Sequence, residues 1–258
     1  MSSIVQLRQL SKVYRNGRGA HEVSFALEEG QVFGLLGANG AGKTTVMKML
    51  SGLCQPTSGE LSLFGSDLES EREAALSQVG TLIEAPAFYG YLTGRQNLKL
   101  AARFYPEQKI GNEKIDETLE MVGMLPYGNE KAARYSLGMK QRLGIALAMI
   151  GSPRLYILDE PSNGLDIEGR VEIRNIILRL AERRDATFII CSHLSDEIQR
   201  CCDSVGIMKD GRLLATETMD QILSRYPALE DYYLEQIGGS SVRSMCKPPL
   251  AAVEGGVR

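Results

Sequence analysis

The sequence predicts an α/β fold in which a strand-rich start leads into a mostly helical block and then into alternating strands and helices. Three observations carry that expectation. Short apolar runs separated by turn residues fill positions 1–36, an apolar period near 3.6 takes over from about Leu92 to position 150, and a strand, a helix and a strand follow one another from Arg154 to His193. A chain of 258 residues can bury a large core without disulfide or metal staples.

The runs "SIVQLRQL", "HEVSFALEEG" and "QVFGLLG" read as strands, the last of them buried and ending at Gly37. "LTGRQNLKLAARFY" opens with a capping-box pattern, Thr93 to Gln96, and "NEKIDETLEMVGML" sets Ile115, Leu119 and Val122 on one helical face. "RLYILDEP" is a short buried strand. The helix after it carries Ile173, Ile176, Ile177 and Leu180 on one side, and "ATFIICSH" is the next strand, which completes a β-α-β unit. The helix "SDEIQRCC", the strand "SVGIMKDG", an Asp210-Gly211 hairpin signal and a helix starting at Thr218 finish the core. After Gly238 periodicity is lost, and residues 239–258 are expected to form a flexible tail.

Charged residues make up 24% of the chain and the net charge is −3, which argues against a strongly electrostatic nucleic-acid binder. The five cysteines, Cys54, Cys191, Cys201, Cys202 and Cys246, are odd in number and lack C-x-x-C spacing. Buried thiols in a reducing cytoplasm are expected, since "MSSIVQLRQL" also lacks the apolar core of a signal peptide. No window approaches the roughly 18 apolar residues of a membrane span. Any service to a membrane would pass through a partner.

"GANGAGKT", residues 37–44, fits the P-loop pattern G-x-x-x-x-G-K-[ST] between a predicted strand and a predicted helix. Gly37, Gly40 and Gly42 allow the backbone of Gly37, Asn39, Gly40, Ala41, Gly42, Thr44 and Thr45 to turn N–H groups toward a phosphate. Lys43 would reach the β- and γ-phosphates of a nucleotide, and the Thr44 hydroxyl would hold Mg²⁺. "LYILDEP" delivers Asp159 and Glu160 at the carboxyl end of a strand, where ligands of parallel sheets collect. Asp159 is placed to bind Mg²⁺ and Glu160 to polarise the attacking water. Together these motifs predict a nucleotide hydrolase.

A narrower reading comes from "YSLGMKQRLGIALAMIG", where the chain resembles the ATP-binding cassette family. The family signature, ordinarily L-S-G-G-Q, stands here as Tyr135-Ser136-Leu137-Gly138-Met139, with leucine for a glycine and methionine for the glutamine. The resemblance is collinear over about residues 3–237 and implies a P-loop NTPase (RecA-like) core with an N-terminal antiparallel β subdomain and an α-helical subdomain inserted at about 86–150. It further implies an ATPase domain over 1–238 that works as a head-to-tail dimer with a second copy or a homologous subunit. Ser136 and Gly138 would then cap the γ-phosphate bound by the other chain, Tyr14 would stack on adenine, and "SNGLD", 162–166, would sense the partner. His193 matches the switch histidine at the γ-phosphate. His21 is expected to be structural.

Glu84 is the only charged residue between Ala74 and Gly94. It is either an ordinary surface residue or a group set beside something positive. In the family a glutamine at this position touches Mg²⁺ and begins the segment that meets the membrane partner. Glutamate here resembles the subgroup of cassette ATPases that protect bacteria from bacitracin and lantibiotics, and it would join Thr44 and Asp159 as a third metal group. Phe88, Tyr89 and Tyr91 are either contacts to a permease or buried within the helical block.

The resemblance therefore implies an ATPase subunit of a bacterial exporter of antimicrobial peptides or similar amphipathic compounds, bound to the cytoplasmic face of a membrane through a separate permease. A non-transport cassette ATPase acting on DNA or the ribosome is the alternative. Against it, only 51 residues separate Glu84 from Ser136, too few for a long inserted coiled coil, the chain has a single P-loop, and no charge footprint of nucleic acid is present. A P-loop kinase of small molecules would leave Ser136–Leu143 and His193 unexplained.

Overall fold

A computed structural model describes residues 3–182 and 186–238 of the chain. The expected tail at 239–258, and Cys246 within it, lie outside the described residues. Strands β1 (Ser3–Val13) and β2 (Gly19–Glu28) pair antiparallel, followed by β3 (Val32–Leu36) and helix α1 (Lys43–Leu50). Next come β4 (Ser58–Leu63), β5 (Ser66–Asp67), α2 (Arg72–Leu76) and β6 (Val79–Leu82). The helical segment holds α3 (Gly94–Ala101), α4 (Asn112–Met121) and α5 (Leu137–Met149), joined by short 3₁₀ turns. The remainder alternates: β7 (Leu155–Asp159), α6 (Ile167–Ala181), β8 (Thr187–Ser192), α7 (Ser195–Cys201), β9 (Ser204–Lys209), β10 (Arg212–Thr218), α8 (Met219–Leu223) and α9 (Leu229–Gln236).

Two sheets result. A four-stranded antiparallel sheet has the order β2-β1-β4-β5, and a six-stranded sheet has the order β10-β9-β3-β8-β7-β6, parallel except for β10. This is the α/β P-loop NTPase fold with an antiparallel subdomain that the family resemblance implies. The central strands β3, β7 and β8 are buried at every position, as parallel strands covered on both faces must be. Their side chains alternate between two cores. Tyr156, Leu158, Phe188 and Ile190 face the helices, whereas Leu155, Ile157, Ile189 and Cys191 face α1 and the antiparallel sheet. Each fully buried aromatic or aliphatic side chain contributes about 1.5–3 kcal/mol by leaving water.

Local signals hold where they were read. Thr93 accepts the Gln96 N–H while the Gln96 side chain accepts from Thr93 N–H, the full capping box. Ile115, Leu119 and Val122 are buried, as are Ile173, Ile176, Ile177 and Leu180. Asp210 and Gly211 both take positive φ, 48° and 79°, the requirement of a tight hairpin turn of type I′. Thr218 caps α8 with a second capping box. The thiols depart in part from expectation: Cys191 in β8 and Cys202 at the C-cap of α7 are buried, but Cys54, in the turn beyond α1, and Cys201, the last residue of α7, are only half-buried. Among the described residues no helix is long and apolar enough to cross a membrane.

Candidate active site

The strand β3 ends against the P-loop, and β8 and β7 end beside it. Gly37 must be glycine because a Cβ there would stand 2.4 Å from the Met208 carbonyl oxygen of β9. Gly42 occupies the N-cap of α1 with φ 99° and contributes no side-chain cap. The first-turn N–H groups of α1 are therefore left to an anion, where the helix dipole favours one. Lys43 is buried, and its ammonium donates to the carbonyls of Gly37 at 2.7 Å and Ala38 at 3.3 Å. The loop is thus folded around its own lysine.

A cleft of about 320 Å³ opens over this loop. Asn39, Gly40, Ala41, Gly42, Lys43, Thr44 and Thr45 line it on one side, Tyr14 on another, and Glu160 closes it. Tyr14 is exposed, and the Lys12 ammonium stands over its ring, 6.0 Å from the centre. Asn16 and Arg18 also line the cleft. Sequence reasoning passed over both; the available signal was a basic residue four positions from Tyr14, next to a turn glycine.

Asp159 and Glu160 part company at the end of β7. Asp159 is buried, and burial pushes its carboxyl up from the usual range, with Thr44's hydroxyl and Lys43 opposing that shift and the charges of Glu160 and Glu84 adding to it. Its Oδ1 has no hydrogen-bond partner. A buried, unpaired carboxylate oxygen beside a threonine hydroxyl is a donor set suited to a hard divalent cation. Glu160 takes φ 50°, a left-handed conformation that costs a non-glycine residue roughly 1–3 kcal/mol. Its backbone is held there by Glu160 N–H to Cys191 C=O and by Asn163 N–H to Glu160 C=O, each 3.0 Å. The turn swings its carboxylate toward Lys43, 3.4 Å from Oε1, and toward His193, whose Nδ1 lies 2.8 Å from Oε2. Oε1 makes an ion pair but no hydrogen bond.

His193 leaves β8 partly exposed, and its contact with Glu160 through Nδ1 leaves Nε2 free to face a ligand. The His21 ring instead packs on Gly211, and its backbone N–H donates to the Gly211 carbonyl, a structural arrangement. Ser136 is the N-cap of α5; its Oγ accepts the Met139 N–H at 3.2 Å, which uses a lone pair and leaves its O–H to donate. Ser136 and Gly138 are not among the residues lining the cleft. Gly138 and its neighbour Leu137 lie instead beside the loop after β7: a Cβ on Gly164 would lie 3.2 Å from Leu137, and one on Gly138 would lie 3.8 Å from Leu165.

Glu84 follows β6 and is set beside a positive charge. Its Oε1 receives a hydrogen bond from the Lys48 ammonium at 2.6 Å, and the carboxylate holds that ammonium above the usual lysine range. Lys48 went unnoticed in the sequence. The signal was its place one helical turn after Thr44, on the same face of α1. Phe88 packs against the helical core, while Tyr89 and Tyr91 are exposed at 51% and 70%. The buried Asn97 fixes their loop through both the N–H and the C=O of Tyr89.

Residues 20–163 match the ABC transporter family. The chain is 41% identical over 225 residues to the bacitracin transport ATP-binding protein BcrA of Bacillus licheniformis, a span of 87% of this chain and 73% of that protein. It is 38% identical over 225 residues to the BcrA protein of Enterococcus faecalis, covering 87% and 72%. A solved structure described as the ATP binding subunit of an ABC transporter superposes with a TM-score of 0.79 at 30% identity, over 91% of this chain and all of that one. A second, cbiO1 from Clostridium perfringens, shares the fold with a TM-score of 0.75 at 24% identity, over 87% and 92%. With a phosphate-binding loop, a carboxylate pair at a strand end and these relatives, the chain belongs to the ABC transporter family as an ATP-binding, ATP-hydrolysing subunit.

Proposed function

We propose that this ATPase drives a bacterial exporter of antimicrobial peptides of the bacitracin or lantibiotic kind, or of similar amphipathic compounds, as one half of a head-to-tail dimer on the cytoplasmic face of a separate membrane permease. The observation that carries the reading is the similarity to two bacitracin transport ATP-binding proteins along nearly the whole described chain. The alternative of a non-transport ATPase on DNA or the ribosome draws no support from these relatives.

In this reading the P-loop N–H groups and Lys43 hold the ATP phosphates while Tyr14 stacks on the base. Thr44 and Asp159 would hold Mg²⁺, with Glu84 as a further acidic group whose charge already bears on Asp159. Bound there, Mg²⁺ would offset the phosphate charge. Glu160 takes a proton from the attacking water, and His193 orients Glu160 through Nδ1 while Nε2 faces the γ-phosphate. The free Ser136 O–H and the start of α5 reach across to the γ-phosphate of the other subunit, which fits their position outside the chain's own cleft. Closing the dimer moves the helical segment as a body, and exposed Tyr89 and Tyr91 pass that motion to the permease.

Affinity isolation of the tagged chain from detergent-solubilised membranes tests the assignment: a multi-span membrane protein should come with it, and ribosomal or DNA-bound material instead would overturn it. The trans role of Ser136 has a separate test. Glu160→Gln should accumulate an ATP-bound dimer in sedimentation, and adding Ser136→Arg should abolish that dimer without weakening ATP binding. A dimer that survives the second change would remove Ser136 from the interface.

A further inference from the structure

We infer that Glu197 is a positioning residue for hydrolysis: it clamps the loop after β7 to the loop after β8 and so keeps Glu160 and His193 in register. The inference rests on the roles proposed above for those two residues.

Glu197 lies in the first turn of α7, and its Oε2 accepts two hydrogen bonds. One comes from Ser162 Oγ at 2.6 Å, the other from Ser192 Oγ at 3.3 Å. Ser162 stands two residues beyond Glu160, and Ser192 immediately precedes His193; both serines are buried, at 6% and 1% exposure. Ser192 Oγ also accepts the Leu194 N–H at 3.0 Å, so the serine grips the chain on both sides of His193. Glu160 and His193 meet directly at 2.8 Å on the opposite side of the same two loops. A closed ring results, running from Glu160 to His193, through Ser192 to Glu197, and back through Ser162.

The ring has a mechanical consequence. The backbone bond from Glu160 N–H to Cys191 C=O ties the ends of β7 and β8 together, but beyond those ends the two loops meet through the partly exposed Glu160–His193 contact, which leaves them rotation about several side-chain bonds. A second, buried link removes that freedom, and hydrogen bonds to a carboxylate are short and strong enough to act as one. The acid at this position also carries a cost in stability. Glu197 Oε1 is buried with no hydrogen-bond partner, an arrangement that works against the folded state. A favourable charge at the start of α7 would be served equally by aspartate, which is one methylene too short to reach both serines.

The test is steady-state ATP hydrolysis by the full chain with Mg²⁺. Glu197→Ala should lower kcat by about 10- to 100-fold, the scale of a misplaced catalytic group, with KM for ATP changed less than about threefold. Glu197→Gln keeps the reach and an acceptor oxygen, so it should retain most of the rate, whereas Glu197→Asp should behave like alanine. In a His193→Ala background, Glu197→Ala should cost less than about twofold more, because it acts through the same contact. Fully additive losses, a rise in KM that accounts for the loss, or equal damage from Gln and Ala would each overturn the clamp. If Glu197→Ala does not fold, Ser162→Ala and Ser192→Ala, which remove one bond each, carry the same comparison. If His193→Ala itself hydrolyses ATP at the wild-type rate, the role given to His193 fails and the clamp with it, a result distinct from additivity.

Discussion

Lys43 and Lys48 leave the same short helix and each meets a glutamate just past a buried strand, yet the two pairs differ in kind. Both glutamates sit at positive φ, 50° for Glu160 after β7 and 62° for Glu84 after β6, so the chain twists both carboxylates back toward α1. By distance alone the outer pair is the closer, 2.6 Å between Lys48 and Glu84 against 3.4 Å between Lys43 and Glu160. By burial the order reverses. Lys43 and Glu160 are 5% and 18% exposed, whereas Lys48 and Glu84 are 30% and 63% exposed. Water and salt screen the outer pair, and exposed pairs of this kind contribute about 0–1 kcal/mol. In the inner pair each charge faces a low dielectric, so a nucleotide bound beside them as proposed would meet fields that solvent weakens little. Proximity measures neither strength nor importance here.

The contrast can be broken or sharpened by substitution, beginning with the inner pair. Glu160→Gln keeps the shape and removes the proposed base, so turnover should fall by about 10²- to 10⁴-fold with ATP affinity intact; substantial residual hydrolysis would take Glu160 out of the chemistry. Lys43→Ala removes the charge proposed to face the phosphates, and ATP binding itself should weaken by roughly 10- to 100-fold, the worth of a charge-assisted hydrogen bond. Wild-type affinity in that variant would contradict the phosphate-binding role of the loop.

The outer pair should respond less. With Glu84→Gln the Mg²⁺ concentration for half-maximal hydrolysis should rise about three- to tenfold, because an amide oxygen binds a hard cation less well than a carboxylate does. Nucleotide affinity without metal should hold level or rise, since one repelling charge has gone. Superimposable curves in both assays would leave Glu84 with its lysine and no metal role. Smallest of all, Lys48→Met should change unfolding free energy by less than about 1 kcal/mol, and the difference should vanish in 1 M salt. A larger, salt-insensitive loss would show that the outer pair is less exposed to solvent in solution than its geometry indicates.

What the sequence determined by itself is local. Eight residues, 37–44, specify the phosphate loop, because its N–H groups and its lysine come from one short stretch and need no distant partner. The same holds for the caps at Thr93 and Thr218, the Asp210-Gly211 turn, and the apolar faces of α4 and α6, each set by spacing within a few residues. Strands β4 and β5 and helices α2 and α9 escaped notice. β5 is only two residues long, β4 opens with three exposed residues that include Gly59, and neither α2 nor α9 begins with a side-chain cap. The site's connections were decided only by the tertiary structure. Glu160 meets His193 across 33 positions, Glu84 meets Lys48 across 36, and Glu197 joins Ser162 across 35. Such meetings depend on the strand order β3-β8-β7-β6, which brings to one edge of the sheet the ends of strands that lie far apart in the chain. Side-chain spacing along a helix or strand is a property of its own backbone, but which strand lies beside which is settled by burial of both faces of the whole sheet at once, and no short stretch of sequence carries that information.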